Sequence, residues 1–218
     1  MFATARSISA LLIALLLAVP SFAFEFPLSE TASRTAYFLG QRRDATMGEF
    51  LARYSKHLLA PKTGPYVSDI MFQTPYAQLV WYSSRQGVYT AQQAEIDGRT
   101  KFPTVEVTVY IYFTDTYSGL IVEDANLRYT TPGIRFRRAD FWREFKFKVF
   151  DGNDTREPAS VYADPQYRCV DDGGCALVGS EIHLSLPAEV FTSDSAAVEV
   201  LTPDEQAVRI EFNLATLR

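Results

Sequence analysis

Residues 104–114, TVEVTVYIYFT, alternate with a period of two and settle what kind of fold this chain makes. Val105, Val107, Val109, Ile111 and Phe113 fall on one side, while Glu106, Thr108, Tyr110, Tyr112 and Thr114 fall on the other. Successive side chains of a strand point to opposite faces, so this run predicts a strand with one buried face. The same rhythm recurs downstream. Ile134 and Phe136 alternate with Arg135 and Arg137, and Phe145, Phe147 and Val149 alternate with Glu144, Lys146 and Lys148. Ile182, Leu184 and Leu186 alternate with Glu181, His183 and Ser185. Val198–Leu201 and Val208–Leu214 flank a Thr-Pro-Asp-Glu-Gln turn and read as a hairpin. Upstream, Tyr66–Phe72 and Ala77–Tyr82 read as two further strands separated by Thr74-Pro75, and 88–96 is open between a strand and a helical turn capped by Thr90.

The first third has a helical period instead. Ser29 is placed to cap a helix running toward Gly40, with Ala32, Ala36 and Leu39 at helical spacing. Thr46-Met47-Gly48-Glu49 fits a capping box. It leads into a stripe of Met47, Phe50, Leu51, Tyr54 and Leu58 that Pro61 would stop. These patterns predict a mainly β fold: a single antiparallel β-sandwich, with immunoglobulin-like order as one form and a partly closed barrel as the rival. A helical N-terminal segment, about 28–60, is expected to pack against it. No repeat and no Gly/Ser/Pro-rich linker divides the chain, so 24–218 reads as one domain.

Residues 1–23 read as a secretory signal peptide. Arg6 is the only charge, Ile8–Val19 is an apolar run too short to span a bilayer, and Ser21-Phe22-Ala23 puts small residues at the positions a signal peptidase reads. Its removal would leave 195 of 218 residues, beginning at Phe24, and would change the formal net charge from −5 to −6. A mildly acidic chain disfavours nucleic acid as partner. No other apolar run is long enough for a membrane span. The expected location is periplasmic or secreted. There the two cysteines, Cys169 and Cys175, would be joined across Val-Asp-Asp-Gly-Gly, closing a short loop worth about 2 kcal/mol.

Catalytic signatures are absent: no P-loop, dinucleotide glycine pattern, G-x-S-x-G or H-E-x-x-H occurs. Of the two histidines, His57 reads as a helix-end residue. His183 shares a strand face with Glu181 and Ser185, but neighbours two apart on a strand stand about 7 Å from each other, too far for a direct relay. Asp164, Asp171 and Asp172 could in principle offer oxygens to calcium. Their spacing matches no loop built for it, so no metal or other cofactor is assigned. Two stretches are candidate binding surfaces. Arg135, Arg137, Lys146 and Lys148 lie in a segment where basic and aromatic residues interleave, a composition that also holds anionic polymers. Tyr110 and Tyr112, two apart on the polar face of the decisive strand, could form a flat platform for a protein or sugar unless the N-terminal helices cover it. Asn153-Asp154-Thr155 is a sequon. The resulting expectation is an exported, non-enzymatic module that binds a protein or glycan of the cell envelope. An envelope hydrolase assembled only in the fold and a ligand-free structural accessory are the alternatives.

Overall fold

The computed structural model describes residues 23–123, 133–170 and 174–218, so residues 1–22 of the proposed signal peptide, and Asp171 and Asp172, lie outside the described residues. Strand β3 (Thr104–Phe113) occupies the centre of a five-stranded antiparallel sheet. Its order is β1 (Ser55–His57), β2 (Pro65–Gln73), β3, β9 (Gly174–Pro187), β8 (Ser160–Val170). A four-stranded antiparallel sheet runs β11 (Ala207–Asn213), β10 (Ser195–Leu201), β6 (Lys146–Asp151), β7 (Asp154–Arg156). β4 (Leu120–Glu123) and β5 (Gly133–Phe136) pair separately.

The two larger sheets share a core. Val105, Val107, Val109 and Ile111 are fully buried, as are Ile182, Leu184 and Leu186 beside them on β9. Phe113, at the strand end, is half-buried. Phe72 of β2 stacks on Phe212 of β11 at 5.3 Å and meets Phe191 edge-on at 5.4 Å, which joins the inner faces. The result is mainly β and sandwich-like. The strand order is five plus four, with helices inserted between β2 and β3, and it does not confirm an immunoglobulin-like arrangement. Among the described residues no strand pairing closes the sheets into a barrel.

The helices differ from the sequence reading in three places. α1 (Glu30–Arg42) is capped by Ser29 as expected, its hydroxyl accepting from Ala32 N at 3.2 Å. α2 (Ala45–Ala52) is capped by Asp44 and not Thr46. A carboxylate two and three residues before the Thr46 and Met47 amides reaches both, at 3.0 and 3.4 Å. It also ends well before Pro61, because the Tyr54 carbonyl accepts from Phe72 N at 2.8 Å and the chain turns into edge strand β1. Ala77–Tyr82 is not a strand. It lies in α3 (Pro75–Arg85), where Thr74 caps the helix and Pro75 occupies the first turn, whose amide needs no intrahelical partner. Finally, the helical turn that Thr90 caps is the start of a longer helix, α4 (Ala91–Thr100), which runs on through Asp97 and Gly98.

α1 packs between α3 and α4 through close backbone approaches. A methyl at Gly40 would collide with the Val80 carbonyl oxygen and lie 2.8 Å from Ser83 Cβ, and one at Gly98 would collide with Ser33 Oγ. Ser33, Ala36, Leu79, Val80 and Ala94 are all fully buried in this layer. Gln78 ties α3 to the sheet: its amide donates to the Gln73 carbonyl (3.0 Å) and the Thr104 carbonyl (2.6 Å), at adjacent ends of β2 and β3. Among the described residues no helix is long and apolar enough to cross a membrane.

Candidate functional site: a cleft on the outer sheet face

Strand pairing converts the polar half of residues 104–114 into a two-dimensional array. Tyr110 lies between Asp69 on β2 and Glu181 on β9, and Glu181 lies opposite Asp164 on β8. In the next row Met71, Thr108, His183 and Tyr162 follow one another across the sheet. Beyond them Gln73 pairs with Glu106, and Glu106 with Ser185. Side chains directly opposite on neighbouring strands stand about 5 Å apart, so these residues form one continuous surface.

α3 lies beside this surface and makes it concave. Its buried stripe faces the core and α1, while Gln78, Trp81, Tyr82 and Arg85, at i, i+3, i+4 and i+7, share the opposite stripe. Together with the sheet they enclose an open cleft of about 530 Å³, within the range of small-ligand sites. Trp81 on the helix, Tyr110 on β3 and Tyr162 on β8 put aromatic rings on its walls, and Glu106 and Glu181 add carboxylates. The rings are braced. The Arg85 guanidinium lies 4.1 Å from the Trp81 ring centroid, Lys101 Nζ lies 3.5 Å from that of Tyr82, and Tyr162 stacks on His183 at 4.7 Å.

The polar groups are largely engaged with one another. Glu106 Oε1 accepts from Ser185 Oγ at 2.6 Å and from Thr104 Oγ1 at 2.7 Å. Glu181 Oε1 accepts from the Gln166 amide at 3.2 Å. His183 Nε2 lies 3.4 Å from Asp164 Oδ2, and its Nδ1 lies 3.3 Å from Thr108 Oγ1. Burial raises the phenol pKa values of Tyr110 and Tyr162, and nearby carboxylates raise them further: Glu181 and Asp69 at Tyr110, Glu106 and Asp164 at Tyr162. Both phenols therefore stay protonated at neutral pH and keep a donor available.

Of the residues singled out from sequence, Tyr110 and His183 meet in this cleft. Tyr112 does not join Tyr110: it faces a separate hollow of about 340 Å³ beside Tyr66 and Arg168. The helical layer therefore walls part of the face and leaves part open. The basic segment is divided. Arg135 lies on β5 opposite Ile121, and Arg137 is engaged, its guanidinium 3.6 Å from the Tyr117 ring centroid and its Nε donating to the Ser118 carbonyl. Lys146 and Lys148 belong to β6 in the four-stranded sheet, where Lys148 lies 3.6 Å from Glu199. Phe141 and Phe145, between these two pairs, are buried in the core. Cys169 and Cys175 face each other across β8 and β9 and are disulfide-bonded. His57, on β1 and not a helix, lies 3.0 Å from Asp69.

Trp81, Tyr82 and Arg85 escape the sequence reading because residues 77–82 read as a strand, and Tyr162 escapes it because β8 carries little alternation. The available signal was Thr74-Pro75, a cap followed by a first-turn proline. Among the described residues no group of three or more His, Cys, Asp or Glu side chains gathers as metal ligands. Comparison with protein-family models, curated proteins and solved structures finds no match.

Proposed function

We propose that this chain is an exported, non-enzymatic binding protein that takes an envelope glycan in the cleft between α3 and the outer face of the five-stranded sheet. The observation that supports it is the convergence of Trp81, Tyr110 and Tyr162, from three separate elements, on one cleft that also holds Glu106, Glu181 and Gln78. Sugar rings offer apolar faces for aromatic contact and hydroxyls that donate to carboxylates and amide oxygens, so this mixture suits them. Asp69, Glu106, Asp164 and Glu181 outnumber Arg85 and Lys101 around this face, so the preferred glycan is neutral or amine-bearing rather than acidic. Export is supported by the leader-like residues 1–23 and by the disulfide.

The hydrolase reading has one observation in its favour, the approach of His183 to Asp164. Two facts weigh against it. Ser185 Oγ donates to Glu106 and not to His183, and the hydroxyl that His183 does meet, that of Thr108 at 3.3 Å, belongs to a residue only 4% exposed and offers little access to a substrate. The two carboxylates that line the cleft, Glu106 and Glu181, stand on positions four residues apart along the strands, about 13 Å, wider than the carboxylate spacings of glycoside hydrolysis. Calorimetric titration with neutral, amino-bearing and uronic-acid oligosaccharides tests both readings. The expected result is saturable binding of the first two, weakened about tenfold by Trp81→Ala or Tyr110→Ala. Release of new reducing ends would move the protein to the hydrolases, and absence of binding to all three classes would overturn the glycan reading.

A further inference from the structure

A second depression, about 750 Å³ in volume, lies where α1, α2 and the first turn of α3 meet the C-terminal residues. Its floor is aromatic and continuous: Phe50 meets Tyr54 at 5.0 Å and Tyr76 at 5.7 Å between ring centroids. Phe38 and Leu39 of α1 extend that surface outward, and Phe38 is 61% exposed. Three guanidinium groups border it. Arg42 is paired with Asp44 at 3.0 Å, but no carboxylate pairs with Arg53 or Arg218 among the described residues. The Arg53 guanidinium lies 5.9 Å from the Phe50 ring centroid and that of Arg218 lies 5.8 Å from Tyr76, so both charges sit over the apolar floor. The Arg218 main chain is fixed there, its N–H donating to Tyr54 OH at 3.1 Å and its carbonyl accepting from Thr74. The acidic groups nearby are each engaged, Asp44 with Arg42, and Glu25, whose charge is felt at Tyr76, with Ser29 N, which donates to it at 2.8 Å.

An apolar trough with two unpaired guanidinium groups at its rim is complementary to a molecule with an alkyl chain and an anionic head. Each methylene removed from water stabilises by about 0.8 kcal/mol, and guanidinium binds carboxylate through paired, charge-assisted hydrogen bonds. We infer that this groove binds a long-chain carboxylate, a free fatty acid, with its tail along Phe38, Phe50 and Tyr76 and its head between Arg53 and Arg218. The site shares no residue with the outer-face cleft and does not depend on what that cleft binds.

Titration of the purified protein with a dansyl-labelled undecanoate tests the assignment. The expected result is a saturable rise and blue shift in emission, reversed by dodecanoate below its micelle concentration. Butyrate, which lacks the tail, and dodecyltrimethylammonium, which has the opposite charge, do not reverse it. The double variant R53Q/R218Q lowers affinity by about tenfold or more. Both side chains are on the surface, so its melting temperature stays that of the parent. Phe38→Glu lowers affinity likewise. Equal displacement by the cationic detergent, parental affinity in R53Q/R218Q, or absence of saturable binding would overturn the assignment. Binding to anionic phospholipid vesicles without binding to the free acid would overturn it too, in favour of a membrane surface.

Discussion

Asp151 shows how far a single side chain can hold the smaller sheet together. It is 2% exposed, at the end of β6, where Gly152 takes a positive φ of 58° and turns the chain into β7. Its carboxylate accepts from Arg156 Nη2 (2.9 Å), Thr192 N (3.1 Å) and Ser193 N (2.8 Å), so one side chain joins the hairpin to the segment that leads into β10. Burial alone would raise its pKa, but the Arg156 guanidinium and the Ser193 and Thr192 donors together hold it below the ordinary carboxylate value. A depressed folded pKa stabilises the native state above the unfolded pKa of about 4, and this contribution fades as pH falls through the folded value. Asp151→Ala should therefore cost about 3 kcal/mol at pH 7, and the gap from the parent should narrow as the pH is lowered below 4. Urea unfolding across that range measures it. A gap that stays constant with pH would mean that packing, and not the ionised carboxylate, carries the effect.

At the scale of elements, α3 makes the cleft, and Gln78 is the clip that sets it against the sheet. Gln78→Ala removes donors to two carbonyls at the ends of β2 and β3. The expected loss is about 1–2 kcal/mol, read by thermal unfolding. Because the clip positions Trp81 one turn on, cleft binding should weaken more in Gln78→Ala than in a surface variant of equal stability. A variant with parental binding would separate the clip from the site. The same helix marks the limit of what periodicity discloses. Residues 104–114, 145–149, 182–186 and the terminal hairpin could be read from alternation because one face of each is buried and the other wet. In α3 both stripes carry large aromatic or apolar side chains, Tyr76, Leu79 and Val80 toward the core and Trp81 and Tyr82 toward the cleft, so a short window shows no clear helical contrast. β8 hides for another reason: it is an edge strand with Pro165 within it and exposed Val161, Tyr162 and Tyr167, so neither face is apolar by composition. Tyr110 was legible as a surface candidate. That Tyr162 and Trp81 would face it depended on one helix and one strand whose patterns were silent.

For the whole molecule, the path the chain takes after synthesis is tied to how its N-terminal end is packed. Phe24, the first residue after the proposed cleavage point, is 6% exposed and meets Phe191 at 6.1 Å, and Leu28 is buried just beyond it. Phe191 in turn meets Phe72, so the start of the proposed mature chain touches the shared core of the two sheets. Cleavage after Ala23 keeps that contact, whereas cleavage a few residues later would remove a core aromatic at a cost of about 3 kcal/mol. Intact-mass measurement on protein recovered from outside the cytoplasm should therefore give a chain starting at Phe24. It should be lighter by two hydrogens than the thiol form, with Cys169 and Cys175 joined. A chain that retains Met1 and carries two free thiols would place it in a reducing compartment. That result would remove the export reading and, with it, envelope glycans as the occupants of the cleft, while leaving the cleft's own chemistry to be tested on other sugars.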